Sequence, residues 1–376
     1  MSSRNLIRIS AAGSGKTWQI CNDALSAAYS GECSLITTYT NKGVESIKEE
    51  IRKQNDGMLH EKIIICSWYQ FLLSEMIRPY QTVIAEINEI SGFDFSQTYG
   101  YVNYGRTGNK SRYINAEGRV KSNFASELAM QIVQLSKGAS LTRLERCYSK
   151  IFIDEVQDLA GYDINIVAAL LRTQIRITCA GDNKQATYST HNTRKNKAKS
   201  GVNVWDFFAE AQQNGLATIE RNLESRRCNG DICNFANAVF PNANNISSIM
   251  SEESNHDGVF LISTDDAQDY IDEYKPQILR YDIKTDVGAR QALNFGQCKG
   301  MTFDRVLVYP NKPLREFVAK EKELKSPYKY YVAVTRPRFS LAIVLDDISN
   351  CSNSFVDITI VINGKQCVAK KYNDKG

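Results

Sequence analysis

The stretch Leu6 to Asp23, LIRISAAGSGKTWQICND, leaves a chain few folds to choose from. A short apolar run of β type, Leu6-Ile7-Arg8-Ile9, leads into the small residues Ser10-Ala11-Ala12-Gly13-Ser14-Gly15. Lys16-Thr17 follow, and a helix is predicted from Trp18. Strand, small-residue loop and helix in that order predict a phosphate loop. The loop's backbone N–H groups and the helix N-terminus can cradle a phosphate. Ala12, Gly13, Ser14, Gly15, Lys16 and Thr17 are the cradle candidates. Lys16 can reach the β- and γ-phosphates, and the Thr17 hydroxyl can ligate Mg²⁺. Ser10 stands where the pattern has its first glycine, and it is small enough for the loop to close. The alternative, an ordinary glycine-rich turn, does not account for the strand before it and the helix after it.

The second strong element is Ile151-Phe152-Ile153-Asp154-Glu155. Three apolar residues predict a buried parallel strand, and two carboxylates sit at its C-terminal end, where ligands bind in open α/β sheets. Asp154 suits a Mg²⁺ ligand, and Glu155 suits a base that orients and deprotonates water. Ile175 to Asp182 is a further strand ending in Gly-Asp, with Gln185 placed to sense a γ-phosphate. Leu35 to Thr40 and Ile63 to Cys66 complete the strands of a first domain.

Between those strands the character changes. Gly92 to Gly118 is polar and mixes aromatic with basic residues (Tyr99, Tyr101, Tyr104, Arg106, Lys110, Arg112, Tyr113), and Asn123 to Leu135 has a helical pattern. This reads as an insertion able to touch a nucleic-acid backbone and its bases, or as a solvated surface. Arg194 to Lys199 is a basic run with the same two readings. Trp68, in an aromatic-rich helix start after Ser67, could stack on a base or pack in a core. A second domain is expected from Ala217, with strands at Val259 to Ile262, Gln277 to Tyr281, Arg305 to Tyr309 and Ser340 to Leu345. The alternating tail Phe355 to Ala369, around Asn363-Gly364, predicts a hairpin.

Composition narrows the chemistry. The chain's 376 residues allow two or three domains, and 43% hydrophobic with 23% charged residues is the balance of a globular protein. Ten scattered cysteines and three histidines argue against a metal centre or a histidine triad. Cys228 and Cys233 have no second pair to complete a tetrahedral site. No signal peptide and no run long enough to span a bilayer are seen, so a cytoplasmic location and no membrane partner are expected. The net charge of +4 permits a phosphate-rich partner.

In order, the motifs resemble those of superfamily 1 helicases of the UvrD/Rep type, over nearly the whole chain. The phosphate loop matches motif I and TTYTNKGVESIKEEI resembles motif Ia. IDEVQD resembles motif II, and GDNKQATY matches motif III. RCNGDICNFAN resembles motif IV, with Arg227 at its arginine. QCKGMTFDRVLV resembles motif V, and YVAVTRPRFSL resembles motif VI, with Arg336 at its arginine.

The resemblance implies an α/β protein of two RecA-like P-loop NTPase domains with a small helical insertion in the first. Residues 1–79 and 149–214 would form domain 1A, 80–148 the inserted subdomain 1B, 215–349 domain 2A and 350–376 a C-terminal β-hairpin tail. It implies hydrolysis of ATP with Mg²⁺ by Lys16, Thr17, Asp154, Glu155 and Gln185, with Arg227 and Arg336 as arginine fingers. It also implies DNA, single-stranded or as ended duplex, as a partner, contacted by Tyr39, Thr40, Asn41, Ser67 and Trp68. Four features depart from the family. The first strand already opens at Leu6, so the adenine-reading glutamine motif is not expected. Thr190 and His191 stand where motif III usually has Trp-Arg, and Gly296 and Thr302 where motif V has His and Glu. Motif IV and motif V are about sixty residues apart, too close for a full second insertion.

Three runs, CSWYQFLLSEMIRPYQ, RLERCYSKIFIDEVQDLAGYDINI and GDNKQATYSTHNTRKNK, resemble the UvrD-like GajB family of Gabija anti-phage systems. That implies an OLD-family nuclease partner of the GajA type. A stand-alone repair or replication helicase, and a switch subunit that senses DNA and nucleotide, are the competing expectations.

Overall fold

The computed structural model describes residues 4–84, 89–96, 110–185, 204–241 and 244–373. Tyr99, Tyr101, Tyr104, Arg106, Tyr188, Thr190, His191 and the run 194–199 lie outside the described residues. The chain divides into two units, Met1–Ile9 with Lys16–Arg221, and Ser10–Gly15 with Asn222–Gly376.

In the first unit, β1 (Leu6–Ser10) leads to α1 (Lys16–Tyr29), β2 (Ser34–Thr38), α2 (Asn41–Gln54), β3 (Ile63–Ser67) and the single turn α3 (Trp68–Phe71). A π-helical run over Leu72–Ile77 continues α3. The inserted region holds β4 (Gly92–Asp94), α4 (Lys110–Tyr113), β5 (Arg119–Lys121), α5 (Ala125–Leu135) and α6 (Ala139–Cys147). Then come β6 (Lys150–Ile153), α7 (Tyr162–Leu170), β7 (Arg176–Gly181), α8 (Val204–Gln213) and β8 (Thr218–Asn222). The main sheet has the order β3-β2-β6-β7-β1-β8. The β2–β3, β2–β6, β6–β7 and β1–β7 pairs are parallel. Helices on both faces explain the near-continuous apolar strands. β8 was expected to open the second domain, but it pairs beside β1 on this sheet.

Buried polar side chains hold the first unit's core together. Asn5 is 2% exposed; its Nδ2 donates to Leu171 O and Leu216 O, both at 2.8 Å, and its Oδ1 accepts from Ile177 N–H at 3.0 Å. Trp68 is likewise a core residue, 2% exposed, with Nε1 donating to Asp163 Oδ1 at 2.7 Å. The same carboxylate accepts from Ser126 Oγ, so α3, α5 and α7 meet on one buried charge. A base cannot reach the Trp68 ring, and of its two readings packing is the one this geometry displays. Ser67 caps α3 in a capping box with Gln70. Arg112, offered as a nucleic-acid contact, instead forks onto the buried Glu127 at 2.7 and 2.8 Å, and Tyr113 is fully buried.

In the second unit, β9 (Glu224–Ser225), α9 (Gly230–Val239), β10 (Ser247–Ser248), β11 (Gly258–Ser263) and α10 (Ala267–Tyr274) come first. They are followed by β12 (Gln277–Arg280), β13 (Leu293–Asn294), β14 (Phe303–Tyr309), α11 (Lys312–Lys320), α12 (Tyr328–Val334) and β15 (Pro337–Leu345). β16 (Phe355–Ile362) and β17 (Lys365–Tyr372) close the chain, and the seven-stranded sheet has the order β13-β12-β14-β15-β11-β17-β16. Asn363 and Gly364 both have positive φ, 50° and 75°, as the mirror-image turn favoured by Asn-Gly requires. The hairpin joins the sheet, because β17 runs antiparallel to β11. Phe355 and Tyr372 pack on Phe235 of α9, ring centroids 6.2 and 5.2 Å away.

His256 shows the same logic on the other face. Its ring lies 4.2 Å from Phe260 and 4.0 Å from Tyr274, nearly parallel to both, and Nε2 meets Tyr270 Oη at 2.8 Å. Burial, with Arg305 and Lys371 nearby, lowers its pKa from 6.5 to about 4, against the opposing pull of Asp257. Between those values the unfolded chain binds the extra proton, so this histidine's contribution rises with pH from about 4 to 6.5 and is lost as pH falls. The shift corresponds to about 3 kcal/mol. His256→Phe should therefore flatten that part of the stability–pH curve, measured by urea unfolding at several pH values. Separately, Asp163→Ala removes the carboxylate that accepts from the indole N–H and the Ser126 hydroxyl and should lower unfolding free energy by about 2–4 kcal/mol in the same assay.

Candidate nucleotide site

The C-terminal ends of β6, β7 and β1, neighbours in the parallel sheet, carry the candidate groups. After β1 the loop Ser10 to Gly15 turns through Gly13 and Gly15, with φ of 74° and 82°. Ala11 and Ala12 are buried, and they pack in the core cluster that holds Cys228, Ile232 and Tyr331. Backbone bonds pin the loop there: Ala11 N–H donates to Asn222 O at 2.8 Å, and Arg226 N–H donates to Gly13 O at 2.9 Å. Ser14 Oγ is buried and has no hydrogen-bond partner.

Lys16 opens α1, and its Nζ lies 3.0 Å from Asp154 Oδ1 and 2.5 Å from Glu155 Oε1. Burial alone would lower the ammonium's pKa, but the two carboxylates hold it above its ordinary value. Asp154 is 6% exposed, and burial pushes its carboxyl upward against the pull of Lys16. Glu155 adopts the left-handed backbone conformation, φ 57° and ψ 41°, which costs a non-glycine residue energy and recurs at active sites. After β7, Asp182 Oδ2 accepts from Gln185 Nε2 at 2.8 Å. Burial raises the Asp182 pKa, and it lowers that of the neighbouring Lys184 to about 8. Thus Lys16, Asp154 and Glu155 are drawn into one cluster, and Gln185 is reached through Asp182. Among the described residues no group of three His, Cys, Asp or Glu side chains could hold a metal by itself. All ten cysteines are free thiols.

The other candidates stand elsewhere. Arg336, in the second unit, is 1% exposed, and its guanidinium donates to Val332 O, Met301 O and Thr335 Oγ1 at 2.7, 3.2 and 3.1 Å. It is engaged inside its own unit rather than extended as a finger. Arg227 Nη1 donates to Thr335 O at 3.3 Å. Tyr39 is half-buried, Thr40 caps α2 by accepting from Gly43 N–H at 3.0 Å, and Asn41 is exposed. Sequence reasoning missed the aromatic cluster that Tyr39 joins: Tyr69 lies 6.2 Å from it, and Phe93 and Phe95 each lie 5.2 Å from Tyr69. Phe95 is 60% exposed. The alternation Phe93-Asp94-Phe95 was the available signal. Gln157, discussed below, was missed as well.

A glycine-turned loop, a lysine at the helix start and adjacent carboxylates on the next strand but one are the features that a phosphate-binding site of P-loop type requires. Residues 111–197 match the UvrD/REP helicase N-terminal domain family. No curated protein sequence matches the chain. Among solved structures it is similar to the arterivirus nonstructural protein 10 helicase, alone and in complex with DNA. Each comparison gives 14% identity, a TM-score of 0.45 and 92% coverage of this chain. The chain spans only 60% and 62% of the length of those two structures.

The two loop glycines separate backbone strain from crowding. A Cβ on Gly15 would meet nothing nearer than 3.9 Å, whereas one on Gly13 would come within 2.5 Å of Arg227 Cβ. Gly15→Ala should cost about 1–2 kcal/mol, the price of a left-handed alanine. Gly13→Ala should cost distinctly more, read as the difference in unfolding midpoint between the two variants.

Proposed function

We propose that the chain is a DNA-dependent NTPase of the UvrD-like superfamily 1 type, hydrolysing ATP with Mg²⁺. The observation that carries this is the convergence of Lys16, Asp154 and Glu155 beside a loop turned by two left-handed glycines. The residues fit the group: Ser14 Oγ is a buried hydroxyl without a partner, as a phosphate-binding loop awaiting its phosphate would have. One hydroxyl and one carboxylate, Thr17 and Asp154, are a usual protein share for Mg²⁺, which keeps waters and takes phosphate oxygens. When bound, the ion would neutralise charge on the transferring phosphoryl group.

In this reading Lys16 leaves the carboxylates to bind the β- and γ-phosphates, freeing Glu155 to accept a proton from the attacking water. Gln185 senses the γ-phosphate. Arg227 and Arg336 take the finger role by motif, and Arg336 must first release its three internal acceptors. DNA contact falls to Tyr39, Thr40 and Asn41, with exposed Phe95 a better stacking candidate than Trp68. Domains 1A, 1B and 2A are the working division, with 2A beginning after β8 rather than at residue 215. The finer assignment, a GajB-like subunit acting with an OLD-family nuclease, rests on the three sequence runs. Co-elution of the two co-expressed proteins in one complex tests it.

Hydrolysis by the purified chain, with and without single-stranded or ended duplex DNA, decides the main reading, with DNA-stimulated turnover expected. Glu155→Gln should keep nucleotide binding and lose turnover, and Lys16→Ala should abolish turnover. Arg336→Ala should slow turnover by about 10³-fold or more, as arginine-finger loss does. Normal hydrolysis by Glu155→Gln would remove the base assignment.

A further inference from the structure

Gln157 lies two residues beyond the proposed base and is fully buried. Both ends of its amide are used. Nε2 donates to Glu155 Oε2, and Oε1 accepts from Asp182 N–H at 3.2 Å. Asp182 in turn accepts from Lys184 N–H and from Gln185 Nε2, each at 2.8 Å. On the other side, Glu155 Oε1 holds Lys16. A continuous path thus runs Lys16, Glu155, Gln157, Asp182, Gln185, across the ends of β6 and β7. The backbone leaves room for it at Gly181, where a Cβ would run into the Gln157 amide, with Val156 Cγ2 at 3.0 Å as well.

We infer that Gln157 is a positioning residue that fixes the Glu155 carboxylate and ties its orientation to the loop bearing Gln185. This rests on the hydrolytic reading above. Geometry carries it. Glu155 stands on a strained left-handed backbone, with one oxygen on Lys16 and the other on Gln157. When Lys16 is drawn to phosphate, Gln157 still holds the other carboxylate oxygen and aims the base. A side-chain amide suits this, because it donates to a carboxylate while accepting from a backbone N–H and carries no charge of its own. Gln157 touches no reacting atom and acts through Glu155. A shift of the Asp182–Gln185 loop on sensing phosphate reaches the base through the Gln157 side chain.

The test uses the full chain with Gln157→Met, which keeps the side-chain length and loses both hydrogen bonds. Gln157→Glu is added, which keeps the acceptor for Asp182 N–H but loses the donor to Glu155. At saturating DNA and nucleotide, kcat should fall about ten-fold or more in both, while the Kd of a fluorescent ATP analogue stays within about two-fold. On a Glu155→Gln background, read as the slow residual single-turnover rate with enzyme in excess over long incubation, Gln157→Met should lower that rate by less than about two-fold, because groups acting as a unit are non-additive. If the Gln157 variants do not fold, Gly181→Ala displaces the same amide and should show the same split between kcat and Kd. Unchanged kcat overturns the inference while leaving the hydrolytic reading intact, and so does a full multiplicative loss on the Glu155→Gln background. A wild-type chain without turnover under any DNA condition overturns both.

Discussion

One ammonium held between two carboxylates sets the terms for the first unit. Lys16, Asp154 and Glu155 are contributed by the ends of strands separated in sequence by the whole inserted region. A buried carboxylate and a half-buried one around a largely buried ammonium are tolerable only while they stay together, since removing one partner of a buried pair leaves charge uncompensated. The parallel sheet makes this possible by bringing β1, β7 and β6 side by side with their C-terminal ends level. Loss of Lys16 therefore strains the resting fold as well as the chemistry. Stability must be measured beside activity before any defect is read as catalytic.

Several buried polar groups away from that cluster are answered by partners distant in the chain. Asn5 joins β1 to the segments before β7 and β8, and Asp163 gathers α3, α5 and α7. Glu127 takes the fork of Arg112, whose guanidinium also lies 4.9 Å over the Phe124 ring. Each buries a polar side chain with its partners at hydrogen-bond distance, the condition on which such burial is affordable. In the second unit aromatic stacking does comparable work, around His256 on one face of the sheet and Phe235 on the other.

What could be read from the sequence followed from local signals. The run Ile151 to Ile153, the loop Gly13 to Lys16 and the turn Asn363-Gly364 each encode their own backbone, and strands and hairpin form there. Trp68 could not be placed, because its partner Asp163 lies 95 positions away and no local pattern announces the pairing. Ser67, offered as a DNA contact by the resemblance, caps α3, a use of a polar residue at a strand end that the motif does not announce. Arg336 matches its motif, yet its acceptors include Met301 O, 35 positions away, so the engaged guanidinium was invisible. The reach of Gln157 to Asp182 was hidden for the same reason, although its reach to Glu155 was not.

β17 pairs with β11 through Phe260 opposite Lys371 and Leu261 opposite Lys370. These partners are about a hundred residues apart in the chain. During synthesis β11 emerges long before the strand that covers its edge, and contacts of such separation form slowly. Until β17 arrives, an apolar strand with open backbone groups is available to any other extended segment. Assembly of the second sheet is thus ordered in time by the position of its last strand, and a nascent chain has a vulnerable interval that the finished protein lacks.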